Sequence, residues 1–149
     1  MMQLLPPGEG ARLVAFLTAR LTEKADAQLD LETAWHSAAC GDRRPVGGRA
    51  CPCGVPAFVL RSVTAERVLL GEFERATRHR DRLRASATWA ESPEEEAVRA
   101  EAERTARLLA AEYIDHPEYR EDWRMISASV TLTADVRDAE TQPDDKRTR

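Results

Sequence analysis

Residues 92–113 read SPEEEAVRAEAERTARLLAAEY, and this stretch decides the fold class. Ser92 offers a side-chain oxygen to the free amides of a helix's first turn, Pro93 suits the first helical position, and Glu95 stands where a capping-box acid reaches back. Glu94, Glu95 and Glu96 suit the positive end of the helix dipole, which accounts for the acid run as a solvated helix start. Val98, Ala102, Thr105, Leu109 and Tyr113 recur at helical spacing and are expected to form the buried stripe.

Toward the N-terminus the same period returns. A second helix is expected from Thr64, a cap residue whose neighbours Val63 and Val68 occupy the positions of a hydrophobic staple. Its apolar positions are Leu69, Phe73, Ala76, Leu83 and Ala87, and it reaches Trp89. Before it, Phe58, Val59 and Leu60 form a short apolar run that reads as a brief strand or a docking segment. A first helix is expected over 10–40, with Leu13, Leu17, Leu21 and Ala25 every four residues. Gln28 or Leu29, then Leu31 and Trp35, extend the stripe, with Trp35 as a large core or lid residue. Gly41 can take the left-handed conformation that ends a helix.

Toward the C-terminus, Asp115, Pro117 and Glu118 repeat the cap, proline and acid pattern. They predict a short fourth helix through Trp123, pinned by Tyr119 and Trp123, with His116 facing solvent. The expected architecture is all-α: a small three-helix bundle with a Cys/His-containing loop between helices 1 and 2, a short fourth helix and a flexible C-terminal tail. Residues 10–125 form one helical domain. In the tail, 126–149, SASVTLTADV alternates as a short strand would, and DAETQPDDKRTR is polar enough for disorder.

The composition fits. Of 149 residues, 42% are hydrophobic, enough for a helical core, and 32% are charged, enough for solvated outer faces. No apolar run of about 18 residues is present, which excludes a membrane-spanning helix. The N-terminal MMQLLPPGEG has neither the basic region nor the long apolar stretch of a signal peptide, so the expected compartment is the cytoplasm. The net charge of −4 argues against strong general attraction to nucleic-acid phosphate. Residues 61–84 hold seven Arg and four acids, and 91–122 hold eleven acids and four Arg. Complementary packing of a basic helix on an acidic one is the simplest account. A nucleic-acid surface from Arg75, Arg78, Arg82 and Arg84 lacks interleaved aromatic stacking residues.

One constellation carries chemistry. His36, Cys40, Cys51 and Cys53 include every cysteine in the chain. His36 and Cys40, four apart on the first helix, share a face. The turn-rich 41–57, GDRRPVGGRACPCGVPA, can return Cys51 and Cys53 to the same point. The set is Cys3His, a common composition for structural zinc, and thiolates favour zinc over hard cations. Separation of Cys51 from Cys53 by a single residue, Pro52, makes joint ligation awkward, and His79 is a substitute ligand far along the chain. The same cysteines also read as reduced, partly buried residues that bind nothing, or as a redox or nucleophilic thiol. Asp42 and Glu66 lie near in sequence without forming a catalytic arrangement. HExxH, glycine-rich phosphate loops and GxSxG are absent.

The string LLAAEYIDHPEYREDW at 108–123 resembles the closing segment of an uncharacterised family of small actinobacterial and phage proteins, a domain of unknown function. Its Tyr-x-Asp-His-Pro-x-Tyr-Arg-x-x-Trp pattern is matched by Tyr113, Asp115, His116, Pro117, Tyr119, Arg120 and Trp123. LVAFLTARLTEKAD at 13–26 and TAERVLLGEFERATRHRDRL at 64–83 are similar to its opening and central helices. The family's His-rich stretch before the central helix is replaced here by Phe58–Val63. The resemblance implies a bacterial or phage cytoplasmic origin and supplies no activity.

The expected function is that of a non-enzymatic accessory or protein-interaction protein, stabilised by a structural zinc, whose partner is another protein or a second copy. The alternative is a small nucleic-acid-associated regulator using Arg43, Arg44, Arg49 and the basic second helix. No small-molecule substrate is evident, and an enzyme ranks third.

Overall fold

The computed structural model describes residues 4–30, 34–41, 51–86 and 90–125. Three helices run in chain order: α1 (Glu9–Leu29), α2 (Val55–Ala85) and α3 (Pro93–Ala111), followed by a 3-10 turn at Glu121–Trp123. No strand occurs among the described residues. None of the described helices is long and apolar enough to cross a membrane. The C-terminal tail beyond Met125 lies outside the described residues.

Each helix packs on the other two. The α1 stripe is as expected, with Leu13 and Leu17 fully buried and Leu21 and Ala25 nearly so. Near its start α1 lies close against α2, because Gly10 has no side chain: a Cβ there would stand 3.0 Å from Thr77 Cγ2. Near its other end Lys24 bridges Glu66 of α2 at 3.3 Å and Glu112, just past α3, at 3.0 Å. Burial draws the Lys24 pKa down, but its bonds and attraction to Glu112 and Glu66 outweigh this and raise it. These contacts place α2 antiparallel to both α1 and α3. At about 1.5 Å per residue α2 is roughly 46 Å long and α1 roughly 31 Å, so the first turns of α2 project past the end of α1.

The first helix is shorter than its periodicity predicts. It ends at Leu29, where Asp30 turns extended at φ −92°, ψ 129° while its amide still bonds to Asp26. Beyond it the Gln28 side-chain oxygen accepts from the Trp35 amide at 3.1 Å. His36, Cys40 and Gly41 therefore lie off the helix. Trp35 is neither core nor lid but 53% exposed, and Leu29 is exposed as well.

The second helix starts nine residues before Thr64. Gly54 takes a left-handed φ of +73°, and Pro56 sits in the first turn, where its missing N–H costs nothing. Phe58, Val59 and Leu60 are thus helical, not a strand or a free segment. Thr64 is not a cap; its hydroxyl donates to the Leu60 carbonyl at 3.0 Å. The helix ends at Ala85, and Trp89 lies outside the described residues. Its buried positions are Pro56, Val59, Val63, Leu70, Phe73, Thr77 and Arg80. Leu69 and Val68 point outward. A count of apolar residues alone misplaces this face, since Thr77 and Arg80 continue the seam.

The third helix begins as predicted. The Ser92 side chain accepts from the Glu95 amide at 3.2 Å and the Glu95 side chain accepts from the Ser92 amide at 2.9 Å. Bonding from the Ser92 amide, then from His79, holds the Glu95 carboxyl below the usual carboxylate range. Ser92→Ala is expected to cost about 1 kcal/mol. A carboxyl lowered on folding adds stability above its unfolded pKa and loses it as pH falls through the folded value. The deficit of Glu95→Ala should accordingly be full at neutral pH and shrink in acid, as read from urea midpoints at several pH values.

The buried stripe of α3 is rotated from the expected one. Arg99, Glu103, Ala106, Arg107 and Ala110 face inward, whereas Val98 is 67% exposed. The charged residues are tolerated because each is met. Arg99 holds Glu91 through two bonds near 3.0 Å, and Arg107 donates to the carbonyls of Trp123 and Asp122. Glu103 accepts from the Leu5 amide at 2.8 Å.

The fourth helix reduces to successive turns. Tyr113, His116 and Tyr119 each donate to the carbonyl three residues back, and the only helical piece is the 3-10 turn. His116, not Asp115, organises it: its Nδ1 accepts from the Glu118 amide at 3.1 Å. His116 is half-buried, not solvent-facing, with its ring 5.5 Å from Phe16. Tyr113, Tyr119 and Trp123 surround the same Phe16 ring at 6.1, 6.4 and 4.9 Å. Arg20 stacks over it at 5.4 Å and bonds to His116. Arg120 reaches back to Glu9 at 3.0 Å. The closing segment is thus a clasp on α1.

Candidate metal centre

The segment following α1 and the start of α2 meet at one end of the bundle. Ser37 and Cys40 close a turn, with the Cys40 amide donating to the Ser37 carbonyl at 3.0 Å. Cys51 to Gly54 close a second, with the Gly54 amide donating to the Cys51 carbonyl at 3.0 Å. The left-handed Gly54 then turns the chain directly into α2. The two turns place His36 Nδ1 3.7 Å from both Cys40 Sγ and Cys53 Sγ, and Cys40 Sγ 3.5 Å from Cys51 Sγ.

All four ligand atoms lie within 4.8 Å of one another, and no disulfide links the cysteines. A tetrahedral ion with metal–sulfur bonds of about 2.3 Å and a metal–nitrogen bond of about 2.0 Å has ligand-to-ligand edges of roughly 3.5–3.8 Å. The separations of 3.5 and 3.7 Å match those edges.

The surroundings act oppositely on Cys53 and Cys51. The amides of Ser37 and Val55 are the main influences on Cys53: they donate to its sulfur and hold the thiol down at about 6. Such N–H to sulfur bonds orient and tune metal ligands. For Cys51 the Cys53 amide acts downward, but burial and the neighbouring Cys53 and Cys40 thiols outweigh it and push the thiol up to about 11. Three thiols held together favour the metal-bound state, which needs them deprotonated. His36 Nε2 is buried with no hydrogen-bond partner among the described residues, while Nδ1 faces the sulfurs.

The four residues singled out from the sequence are therefore brought together, though by two turns and not by a helical face. The single-residue gap between Cys51 and Cys53 falls within a turn closed by the Gly54 amide on the Cys51 carbonyl at 3.0 Å. The other candidates are elsewhere. His79 lies on the outer side of α2, 3.1 Å from Glu95. Glu66 is held by Lys24 and Ser62. Asp42, Arg43, Arg44 and Arg49 fall outside the described residues. On α2, Arg75 and Arg78 pair along their own helix with Glu72 and Glu74, and Arg80 is buried. The backbone donors from Ser37 and Val55 were missed from the sequence; the Gly54–Val55–Pro56 string, a helix-start signal, marks the second of them.

A model for a family of unknown function, DUF6221, matches residues 10–125. The chain belongs to this family. Neither a curated protein nor a solved structure matches it. The DUF6221 match spans all three helices, the candidate centre and the closing clasp. The centre is thus built within the family domain, between α1 and α2.

Proposed function

We propose that this DUF6221 chain is a non-enzymatic protein-interaction module whose α1–α2 connection is held by one structural zinc ion. The observation that carries the reading is the convergence of His36 Nδ1 and three cysteine sulfurs within 4.8 Å. Three thiolates and an imidazole select zinc over magnesium or calcium, and four protein ligands fill a tetrahedral ion and leave no open position for substrate. Support for an interaction role comes from the same end of the bundle, where Leu29, Trp35 and Phe58 are 71%, 53% and 64% exposed. A fixed connection holds these side chains in place for a partner protein. The α2 arginines paired within their own helix give a nucleic-acid surface less support.

Elemental analysis of protein purified without a metal-affinity tag should find one zinc per chain. Replacement by cobalt should give the intense visible absorption of tetrahedral thiolate ligation. Chelation should fray the first turns of α2 and the connection before it, while the core around Phe16 stays folded, as followed by amide exchange. No bound metal after zinc addition would sink the metal half of the reading. The double variant Trp35→Ser, Phe58→Ser should keep its zinc and lose its partner in a pull-down. A chain that stays monomeric and captures no partner refutes the interaction half.

A further inference from the structure

The centre holds three thiols, an odd number, and they are not equivalent. The Cys40 and Cys51 sulfurs stand 3.5 Å apart, and the two residues are eleven positions apart in the chain. Cys51 and Cys53 are separated only by Pro52, so a bond between them would close a small strained ring. Cys53 is set apart in another way: its sulfur accepts from the backbone amides of Ser37 and Val55. Cys51 is 8% exposed, whereas Cys40 is half-buried and more open to solvent.

We propose that the centre is a peroxide-sensitive switch in which Cys40 and Cys51 join in a disulfide and the metal is released. The proposal rests on the structural-metal reading above and adds its regulation. The oxidant is hydrogen peroxide or an alkyl hydroperoxide. The Cys40 sulfur attacks a peroxide oxygen, an S–O bond forms, the O–O bond breaks, and hydroxide (or alkoxide) leaves and takes a proton from solvent. The Cys51 sulfur then attacks the Cys40 sulfur. The S–S bond forms as the S–O bond breaks, and the second hydroxide leaves as water. Two thiolates lose two electrons and the peroxide gains them. His36 and Cys53 remain, and two ligands do not retain a zinc ion against solvent. Loss of the ion releases His36 and Cys53, while the Cys40–Cys51 bond keeps the two turns joined.

The test uses the full chain loaded with zinc. Hydrogen peroxide is added stepwise while a chromogenic chelator reports free zinc, thiols are titrated, and a non-reducing peptide map locates cross-links. About one equivalent of peroxide per chain should release the ion, reduce the free thiols from three to one, and yield a Cys40–Cys51 cross-linked peptide that a dithiol reductant reverses. Cys53→Ser should still form that cross-link after oxidation and Cys40→Ser should not. Release with sulfinic or sulfonic acids and no disulfide, a cross-link through Cys53, or retention of zinc under excess peroxide overturns the switch. A chain that binds no zinc refutes the metal reading instead, and the peptide map of its oxidised form still decides whether Cys40 and Cys51 are the pair.

Discussion

Trp123→Ala should destabilise the bundle by about 3–5 kcal/mol, the range for truncating a fully buried tryptophan. The indole is 2% exposed and lies 4.9 Å from the Phe16 ring and 5.9 Å from Tyr119. It belongs to the same core cluster as Leu13, Leu17 and Phe73. Alanine would leave Phe16 without a neighbour on that side, and the surrounding helices are too stiff to close the gap. The 3-10 turn that Arg107 grips through backbone carbonyls would lose its anchor as well. Trp123→Phe should cost far less, about 1 kcal/mol, because it keeps most of the buried area. The indole Nε1 makes no hydrogen bond among the described residues, so phenylalanine forfeits none. Urea unfolding of both variants measures the difference. A loss below about 1 kcal/mol for the alanine variant would show that the closing segment does not act as a clasp.

Glu103→Ala is expected to have an effect of similar size, about 3–5 kcal/mol, through charge and not cavity. Glu103 is 1% exposed and is the acceptor for the Leu5 amide. Arg107 and Arg99 stand 3.6 and 4.0 Å from its carboxylate. Burial pushes its pKa up, against the downward pull of the Leu5 amide and of Arg107, Arg99 and Arg80. Without the carboxylate the cationic side chains of Arg80, Arg99 and Arg107 remain buried with one counter-charge fewer, and the Leu5 amide loses its partner. Glu103→Gln retains an acceptor for Leu5 but no charge, so it should fall between wild type and alanine. A glutamine variant as stable as wild type would show that the hydrogen bond, not the ion pairing, is what the site requires.

The parts of the fold legible in the sequence are those set by chemistry within one helical turn. The Ser92–Glu95 box needs only its own four residues, and it is where the sequence places it. The Leu13, Leu17, Leu21 and Ala25 stripe is uniform enough that its period alone identifies the buried face. Where apolar and polar residues mix, the period misleads. On α3 the exposed Val98 and the buried Glu103 reverse the simple expectation, because Arg99, Arg107 and the Leu5 amide satisfy the acid from elsewhere in the chain. On α2 the seam runs through Thr77 and Arg80, positions that a hydrophobic count passes over. The start of α2 was legible in principle from Gly54 and Pro56, but the prolines and glycines before them masked it as loop.

The candidate centre divides along the same line. Composition by itself determined its ligand set, since His36 and the three cysteines lie close together in a chain with few other soft ligands. A continuous helix through His36 and Cys40 does not support them: α1 ends at Leu29, where Asp30 turns extended. Only the tertiary structure decided that two turns, not a helix face, bring the four atoms together, that Ser37 and Val55 furnish amides to Cys53, and that the Cys40 and Cys51 sulfurs stand 3.5 Å apart. Residue type and local spacing determine what a side chain can bind and where a helix can start. Which groups meet depends on the packing of α1 against α2, a contact between segments some forty residues apart that neighbouring residues alone do not encode.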